Sequence, residues 1–431
     1  MNTATELAVA GRAQRLRYGL NETVNWRQFA AGARREEVWA RFRELGTSVV
    51  RLLAFEKGAP DPVEEWERFA ECVDAVLAAG AVPMVSFAKF APPYDDPAAV
   101  HDFAGRCAGV VARCVRQWGG PAVRDWFWGV WQHPNSEWVS AGLTFDHYRS
   151  IYEETAKAIL GHLSPFLEGR RPRIGGPAAD GFQPFWADWV WRFVNEIDNA
   201  LIGFASWHQF GDWREVGAWG APADEQVFRT LLLGRVSEYE SRTRAVARMV
   251  RGRGILNVCG ELNAHAHHEP HVSRAYNQTV FGAAYYASAL IHLMRGGADL
   301  ELRKSGTDDG GPYGLLDGAG RPTPVFEAKR LCAGHVRFGD VVRFPQGRAG
   351  PGVDVVVAAG AGGRRSTLIV HRNDVTAAYA ADELTGEPAA YDTLLKLDRG
   401  TDGRVAEERF DGRVRFEGYG VAVATTAKGL R

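Results

Sequence analysis

Residues 48–87, SVVRLLAFEKGAPDPVEEWERFAECVDAVLAAGAVPMVSF, show the pattern that decides the fold. The stretch begins and ends with apolar runs, residues 48–55 and 82–87, which we predict to be strands. Between them, residues 62–79 carry apolar side chains three and four positions apart, as an amphipathic helix does. Gly80 ends that helix. The order of strand, helix and strand predicts a βα unit with parallel strands.

The same alternation recurs along most of the chain. Eight apolar runs separated by amphipathic segments predict an α/β fold, a (β/α)8 TIM barrel with inserted loops, since such barrels span about 200 to 400 residues. An open, doubly wound sheet is the alternative. The predicted strands are residues 17–20, 48–55, 82–87, 126–131, 173–176, 201–207, 255–259 and 299–302.

The character of the chain changes after about residue 333. Short β-branched runs at 353–358, 367–371 and 420–425 alternate there with glycine, aspartate and asparagine turn signals. A turn-rich stretch at 316–322 and one last amphipathic helix come before them. We therefore predict a barrel domain over residues 1–335 and a C-terminal β-sandwich domain over residues 336–431.

Composition narrows the possible partners and location. The 431 residues include 51 basic and 52 acidic side chains, a net charge of -1, so the chain lacks the positive field that nucleic-acid or membrane binding requires. No apolar stretch has the length of a signal peptide core or a membrane span, and we expect a cytoplasmic protein. The five scattered cysteines are expected to be reduced core thiols. We expect no cofactor, and the oligomeric state stays open.

Two predicted strand ends carry groups that point to chemistry, because barrel active sites lie where strands end and βα loops begin. The segment after the fourth strand, residues 128–138, reads WGVWQHPNSEW. The segment after the seventh, residues 257–269, reads NVCGELNAHAHHE.

These motifs resemble the retaining glycoside hydrolases of clan A, most closely family 39, which includes β-xylosidases and α-L-iduronidases. The resemblance rests on Trp-x-x-Trp-x-x-Pro-Asn at 128–135, on Glu261, and on the trailing β-sandwich. Arg51 on strand two, Trp207-His208 on strand six and residues 314–317 agree with it. It covers most of residues 17–335 and implies two carboxyl groups about 5 Å apart, one the nucleophile and one the acid/base.

The strand-four motif departs from that family. The family motif is Asn-Glu-Pro, in which the glutamate is the acid/base and the asparagine binds the sugar; here Gln132, His133 and Pro134 stand in its place. Glu261 matches the nucleophile. An imidazolium can donate a proton near its pKa of about 6.5, so His133 is a candidate acid/base, with substrate binding or an inert replacement as alternatives.

A lost acid is tolerated when the leaving group is stable as an anion, and plant myrosinases resemble this case, with a glutamine in place of the acid. Glu137 is an alternative acid if its loop folds back, although a solvent-facing carboxylate is the simpler interpretation.

Aromatic rings stack on sugar faces as well as in protein cores. The candidate substrate-binding residues are Gln132, Asn135, Arg51, Trp131, Trp207, His208, Asn263 and His265.

The histidines between residues 265 and 271 raise a metal hypothesis, because imidazole and carboxylate bind zinc. Their spacing does not match ligands on one helix face, so we favour a polar rim without metal.

The expected function is hydrolysis of a small-molecule glycoside, with Glu261 as nucleophile and His133 or no residue as acid. The alternatives are a barrel that only binds a carbohydrate-like metabolite, and non-hydrolytic chemistry such as elimination, isomerisation or glycosyl transfer.

Overall fold

The computed structural model describes residues 11–22, 35–54, 66–87, 93–308, 310–345, 350–387 and 390–426. Eight parallel strands close into a barrel, which confirms the predicted fold class. The sixth and seventh strands run further than predicted, to Asp212 and His265. The barrel strands are Arg17–Asn21, Val49–Leu53, Val82–Phe87, Phe127–Val130, Ile174–Ala179, Phe204–Asp212, Leu256–His265 and Leu300–Lys304.

Helices surround the barrel and pack their apolar faces on it. In the predicted helix, Trp66, Phe69, Val73 and Val76 are buried along one face, as their spacing requires. Within the described residues, no helix has both the length and the apolar character needed to cross a membrane. The helices of the barrel domain are Arg35–Glu44, Trp66–Ala78, Pro97–Trp118, Gly120–Val123, Glu137–Ser140, Phe145–Leu163, Trp186–Glu196, Glu225–Gly234, Ser237–Met249, Pro270–Asn277, Val280–Gly296 and Pro324–His335, and the short helix Ala381–Thr385 lies in the C-terminal part.

The C-terminal part is a β-sandwich built from antiparallel strands, as predicted. A two-stranded sheet, Thr376–Ala380 and Arg413–Glu417, shares an apolar core with a seven-stranded sheet. The first strand of the seven-stranded sheet comes from the N-terminal segment that precedes the barrel. In spatial order that sheet is Arg12–Ala13, Val341–Arg343, Val353–Ala359, Arg365–His371, Gly420–Thr425, Thr393–Asp398 and Ala406–Arg409.

A buried ion cluster joins the barrel to the sandwich. His292 lies on a barrel helix, with Nδ1 3.1 Å from Glu240 Oε2 and Nε2 3.4 Å from Asp354 Oδ1 on the sandwich. Burial opposes the charged imidazole, but the adjacent carboxylates of Asp354 and Glu240, which accept from its N–H groups or pair with its charge, outweigh burial and raise the pKa of His292. The imidazolium therefore links two acidic groups across the interface.

Replacing His292 with Asn is expected to destabilise the protein by about 2 kcal/mol near pH 6, because the two carboxylates lose one charged partner while Arg244, Arg295 and Arg372 remain beside them. The pKa of His292 is raised in the folded state. Its contribution is therefore complete below the unfolded value of about 6.5 and is lost as pH rises through the folded pKa. Urea unfolding should show a larger difference from wild type at pH 6 than at pH 9. His162→Asn, at an exposed site, is the control; an equal loss at both pH values contradicts the proposed linkage.

Candidate functional site

A β-bulge at Gly260 places Glu261 at the site. Trp207 pairs with Cys259 and His208 pairs with Glu261, so Gly260 is an extra residue in the seventh strand. A Cβ atom at Gly260 would lie 2.8 Å from His208 Nε2, so the position requires glycine. Bulges redirect the side chains that follow them, and here the following side chain is the Glu261 carboxylate.

The two oxygens of Glu261 have different surroundings. Oε1 accepts hydrogen bonds from Asn21 Nδ2 and Gln132 Nε2, each at 3.0 Å. Oε2 receives no hydrogen bond from the described residues and has Lys304 Nζ 3.6 Å away. Glu261 also lines a cavity at this end of the barrel. One oxygen is thus held by amides while the other is left without a hydrogen-bond donor.

The charge on Glu261 is stabilised by its neighbours. Burial alone would raise the pKa of this carboxyl group, but neighbouring positive charge, that of Lys304 first, holds it well below its usual range. Glu261 is therefore ionised across the physiological pH range, which a nucleophilic carboxylate requires.

The backbone after the fourth strand is strained where Gln132 and His133 approach Glu261. Trp131 and His133 have φ values of 75° and 53°, in the left-handed region that non-glycine residues rarely adopt. The Trp131 indole donates to Ser140 Oγ at 3.0 Å, and His133 N donates to Ala178 O at 3.2 Å. Such strain persists only where the surroundings enforce it, and it concentrates at functional sites.

His133 and His208 form a contacting imidazole pair, with His133 Nε2 2.5 Å from His208 Nδ1. On the other side of the His208 ring, Nε2 lies 3.2 Å from Arg51 Nη1. Because a guanidinium only donates, His208 Nε2 must accept, and the His208 proton lies on Nδ1. His208 then donates to His133 Nε2, which leaves Nδ1–H as the donor of His133. Arg51 is fixed by its own bond from Nε to Ser86 Oγ at 2.8 Å.

Both imidazoles favour the neutral form. Burial lowers the pKa of His208 well below its ordinary value, and the negative charge of Glu261 only partly opposes this. Burial likewise lowers the pKa of His133, against the raising effect of Glu261 and Asp180. A neutral imidazole is a weak proton donor.

His133, His208 and Glu261 are also the only described residues whose metal-ligating atoms converge, within 4.8 Å of one another. A cation would need a lone pair on His208 Nδ1, but the Arg51 donor places a proton there. Lys304 adds positive charge beside Glu261. This arrangement fits a hydrogen-bonded imidazole pair better than a metal centre. Residues 265–271 form no converging set in the part of the chain described.

The cavity at this end of the barrel has a volume of about 690 Å³. Besides Glu261, two carboxyl groups of described residues line it, Asp180 and Asp308. Asp180 Oδ1 accepts the Phe182 amide at 3.0 Å, and Asp308 accepts the Tyr313 amide. Burial raises the pKa of Asp308, although backbone amides oppose this. Each of these carboxyl groups is thus bound to the backbone of its own loop.

The structure brings some sequence-predicted residues together and separates others. Arg51, Gln132, His133 and His208 gather around Glu261. Asn135 instead fixes the neighbouring loop, bonding both the carbonyl and the amide of Asp180. The others are buried and do not line the cavity among the described residues; they are Trp131, Trp207, Asn263 and His265.

Hydrogen bonds explain two of these buried positions. The Trp207 indole donates to Asn257 Oδ1 at 3.0 Å. His265 contacts Ser273 Oγ at 2.6 Å through Nδ1 and Arg214 O at 2.9 Å through Nε2, so both ring nitrogens are engaged. Neither ring is free to contact a ligand in this arrangement.

Sequence reasoning missed two residues of the site, Asn21 and Lys304. Asn21 ends the first barrel strand and Lys304 ends the eighth. Parallel strands of a barrel end at one face, so a polar residue at each strand end was the available signal. The two strands were predicted to end at residues 20 and 302, so Asn21 and Lys304 lay outside them.

Comparisons with known proteins show what the chain is similar to in sequence and in fold. The model of the family described as glycosyl hydrolases family 39 matches residues 71–227. A search of curated protein sequences finds no match. The fold is similar to a monomeric β-xylosidase from Caulobacter crescentus CB15, with a TM-score of 0.66, 16% identity, and coverage of 97% of this chain and 98% of that one.

Two further solved structures show the same fold. The family 39 enzyme from Xanthomonas axonopodis pv. citri has a TM-score of 0.62 and 17% identity, covering 97% of this chain and 96% of that one. A family 30 endoxylanase from Clostridium papyrosolvens C71 has a TM-score of 0.60 and 12% identity, covering 96% and 97%. By its fold and its partial family match, the chain is thus similar to glycoside hydrolases of family 39.

Proposed function

We propose that this protein is a glycosidase that hydrolyses a small-molecule glycoside by a retaining mechanism, with Glu261 as the nucleophile. One observation carries the proposal: the ionised Glu261 has Oε1 held by two amides and Oε2 without a hydrogen bond from the described residues. A carboxylate fixed through one oxygen is oriented to attack through the other. The similarity in fold to family 39 enzymes supports a glycosidase function for this barrel.

In the first step, Glu261 Oε2 forms a bond to the anomeric carbon as the bond to the leaving-group oxygen breaks. In the second step, water attacks that carbon, the sugar is released, and the Glu261 carboxylate is regenerated. Gln132 holds Oε1 in both steps. Arg51 and His208 position His133, which we propose donates a hydrogen bond to the substrate through Nδ1–H. We propose that His133 is not the proton donor, because its neutral form is favoured.

Replacing His133 with Ala is expected to lower kcat/KM for a 2,4-dinitrophenyl glycoside by about tenfold or less, because one hydrogen bond is lost. Loss of a general acid would instead cost about 10²- to 10⁴-fold, and chiefly with poor leaving groups. Initial rates with a series of aryl glycosides of increasing leaving-group pKa distinguish the two cases. An Ala effect that grows steeply with leaving-group pKa contradicts the assignment. Asp180→Asn and Asp308→Asn in the same series test the two other carboxyl groups of the cavity as proton donors.

The stereochemistry of the product tests the mechanism. Proton NMR of the first-formed sugar from a dinitrophenyl glycoside should show the same anomeric configuration as the substrate. Two displacements at the anomeric carbon give retention, whereas direct attack by water gives inversion. Inverted product contradicts the proposed nucleophile.

A further inference from the structure

Aromatic rings that are not packed in the core line the mouth of the cavity. Trp138 is 84% exposed and Trp213 is 37% exposed, and both line the cavity. Their ring centroids lie 6.2 Å apart at an interplanar angle of 62°. Large exposed apolar rings that contact one another at a cavity mouth mark a binding surface.

A second aromatic pair continues this surface into the cavity. Phe182 and Phe210 stack with ring centroids 5.9 Å apart at an interplanar angle of 18°, and both line the same cavity. These four rings come from the segments that follow the fourth and fifth barrel strands and from the end of the sixth strand onward. We call Trp138, Phe182, Phe210 and Trp213 the aromatic wall.

We propose that the aromatic wall binds the aglycone, and that the substrate is therefore an aryl glycoside whose leaving group is a planar phenol. The inference rests on the proposed function, because the aglycone departs when Glu261 attacks. The aromatic wall mainly presents ring faces and edges, which stack on another planar ring, rather than groups that hydrogen-bond to sugar hydroxyls. The polar groups suited to sugar hydroxyls, including Asn21, His133 and Lys304, line the part of the cavity nearer Glu261.

The volume of the cavity agrees with two occupants. At about 690 Å³, it lies within the range of about 300–1,000 Å³ typical of sites for drug-sized ligands. A sugar ring joined to an aromatic aglycone is a ligand of that size. The aromatic wall then contacts the aglycone while the sugar occupies the polar end.

The neutral state of His133, which follows the fourth strand, favours the same class of leaving group. A phenol has a pKa near 10, as tyrosine does, whereas an alcohol is nearer to the value of about 15.7 for water. As the glycosidic bond breaks, its electron pair stays on the phenolic oxygen, and the phenolate takes its proton from water. Water then hydrolyses the glycosyl ester, returning the Glu261 carboxylate and one proton. A neutral His133 is compatible with this route.

Binding of 2-naphthol, measured by calorimetry, tests the aromatic wall without knowledge of the sugar. Trp138→Ala should weaken 2-naphthol binding about tenfold, and Trp138→Phe should restore most of it, because one stacking ring is lost and then replaced. Trp191→Ala is the matched control: Trp191 is 48% exposed but does not line the cavity. No binding of 2-naphthol, or equal binding by wild type and Trp138→Ala, overturns the inference.

A 2-deoxy-2-fluoro glycosyl fluoride separates this inference from the proposed function, because its leaving group is fluoride and carries no ring. If the glycosyl fluoride labels wild type and Trp138→Ala equally while 2-naphthol binding depends on Trp138, both proposals hold. If Glu261 is labelled but 2-naphthol does not bind, only the inference about the aglycone is overturned. Binding of 2-naphthol at Trp138 without turnover of any aryl glycoside overturns its role as an aglycone site.

Discussion

Glu261→Gln is expected to lower kcat for aryl glycosides by about 10⁴- to 10⁶-fold, the loss that follows removal of a catalytic nucleophile. Glutamine has the same shape, and its amide oxygen still accepts from Asn21 and Gln132, so the barrel should fold unchanged. An amide oxygen does not form the glycosyl ester. Steady-state rates with a dinitrophenyl glycoside measure the effect directly.

Glu137→Gln is the matched control, because Glu137 lies in the segment that follows the fourth strand but is exposed and does not line the cavity. We expect its kcat to stay within about twofold of wild type, as for a surface substitution that touches no special feature. A Glu261→Gln variant that keeps a tenth or more of wild-type activity contradicts the nucleophile. A large loss in Glu137→Gln instead assigns catalysis to that loop.

Lys304→Met is expected to move the acidic limb of the kcat/KM profile to a higher pH. Lys304 Nζ lies 3.6 Å from Glu261 Oε2, and Lys304 is the largest of the contributions that lower the pKa of Glu261. Without this charge, burial raises the pKa of Glu261 with less opposition. Two unit charges at such a distance interact by about 4 kcal/mol at an effective dielectric constant near 20, so a shift of at least about one pH unit is expected.

The pH dependence of kcat/KM measures the direction of this shift. A lowered carboxyl pKa keeps the charged form down to low pH, so kcat/KM of the variant should begin to fall at a higher pH than that of wild type, while the two profiles should have the same shape near pH 8. Lys304→Arg retains the charge and should restore the acidic limb of wild type. Identical acidic limbs in wild type and Lys304→Met show that Lys304 does not maintain the charge of Glu261.

The barrel was predictable because each βα unit shows its own local pattern. The helix Trp66–Ala78 followed from apolar spacing, and the third strand, Val82–Phe87, ended where predicted. The seventh strand was predicted to end at Cys259 but continues through the bulge to His265. An extra residue such as Gly260 interrupts the two-residue alternation, so periodicity alone does not reveal how far the strand continues.

The site was only partly predictable. Glu261 and His133 were found from motif order, but the contact of His133 with His208 depends on strained backbone that no spacing rule reports. Trp131 and Trp138 are both tryptophans of one segment, yet Trp131 is buried and Trp138 lines the cavity. Composition does not distinguish a buried tryptophan from one that lines a cavity, because aromatic rings serve core packing and ligand stacking equally well.

Trapping the covalent intermediate tests the central claim most directly. Wild type and Glu261→Gln are incubated with dinitrophenyl 2-deoxy-2-fluoro glycosides of several sugars, and intact-protein mass spectrometry follows each mixture. The account predicts a mass increase of one fluoroglycosyl unit in wild type, located on Glu261 by peptide mapping, and none in Glu261→Gln. An adduct on another residue, or turnover of the parent glycosides with no adduct from any fluorinated analogue, contradicts it.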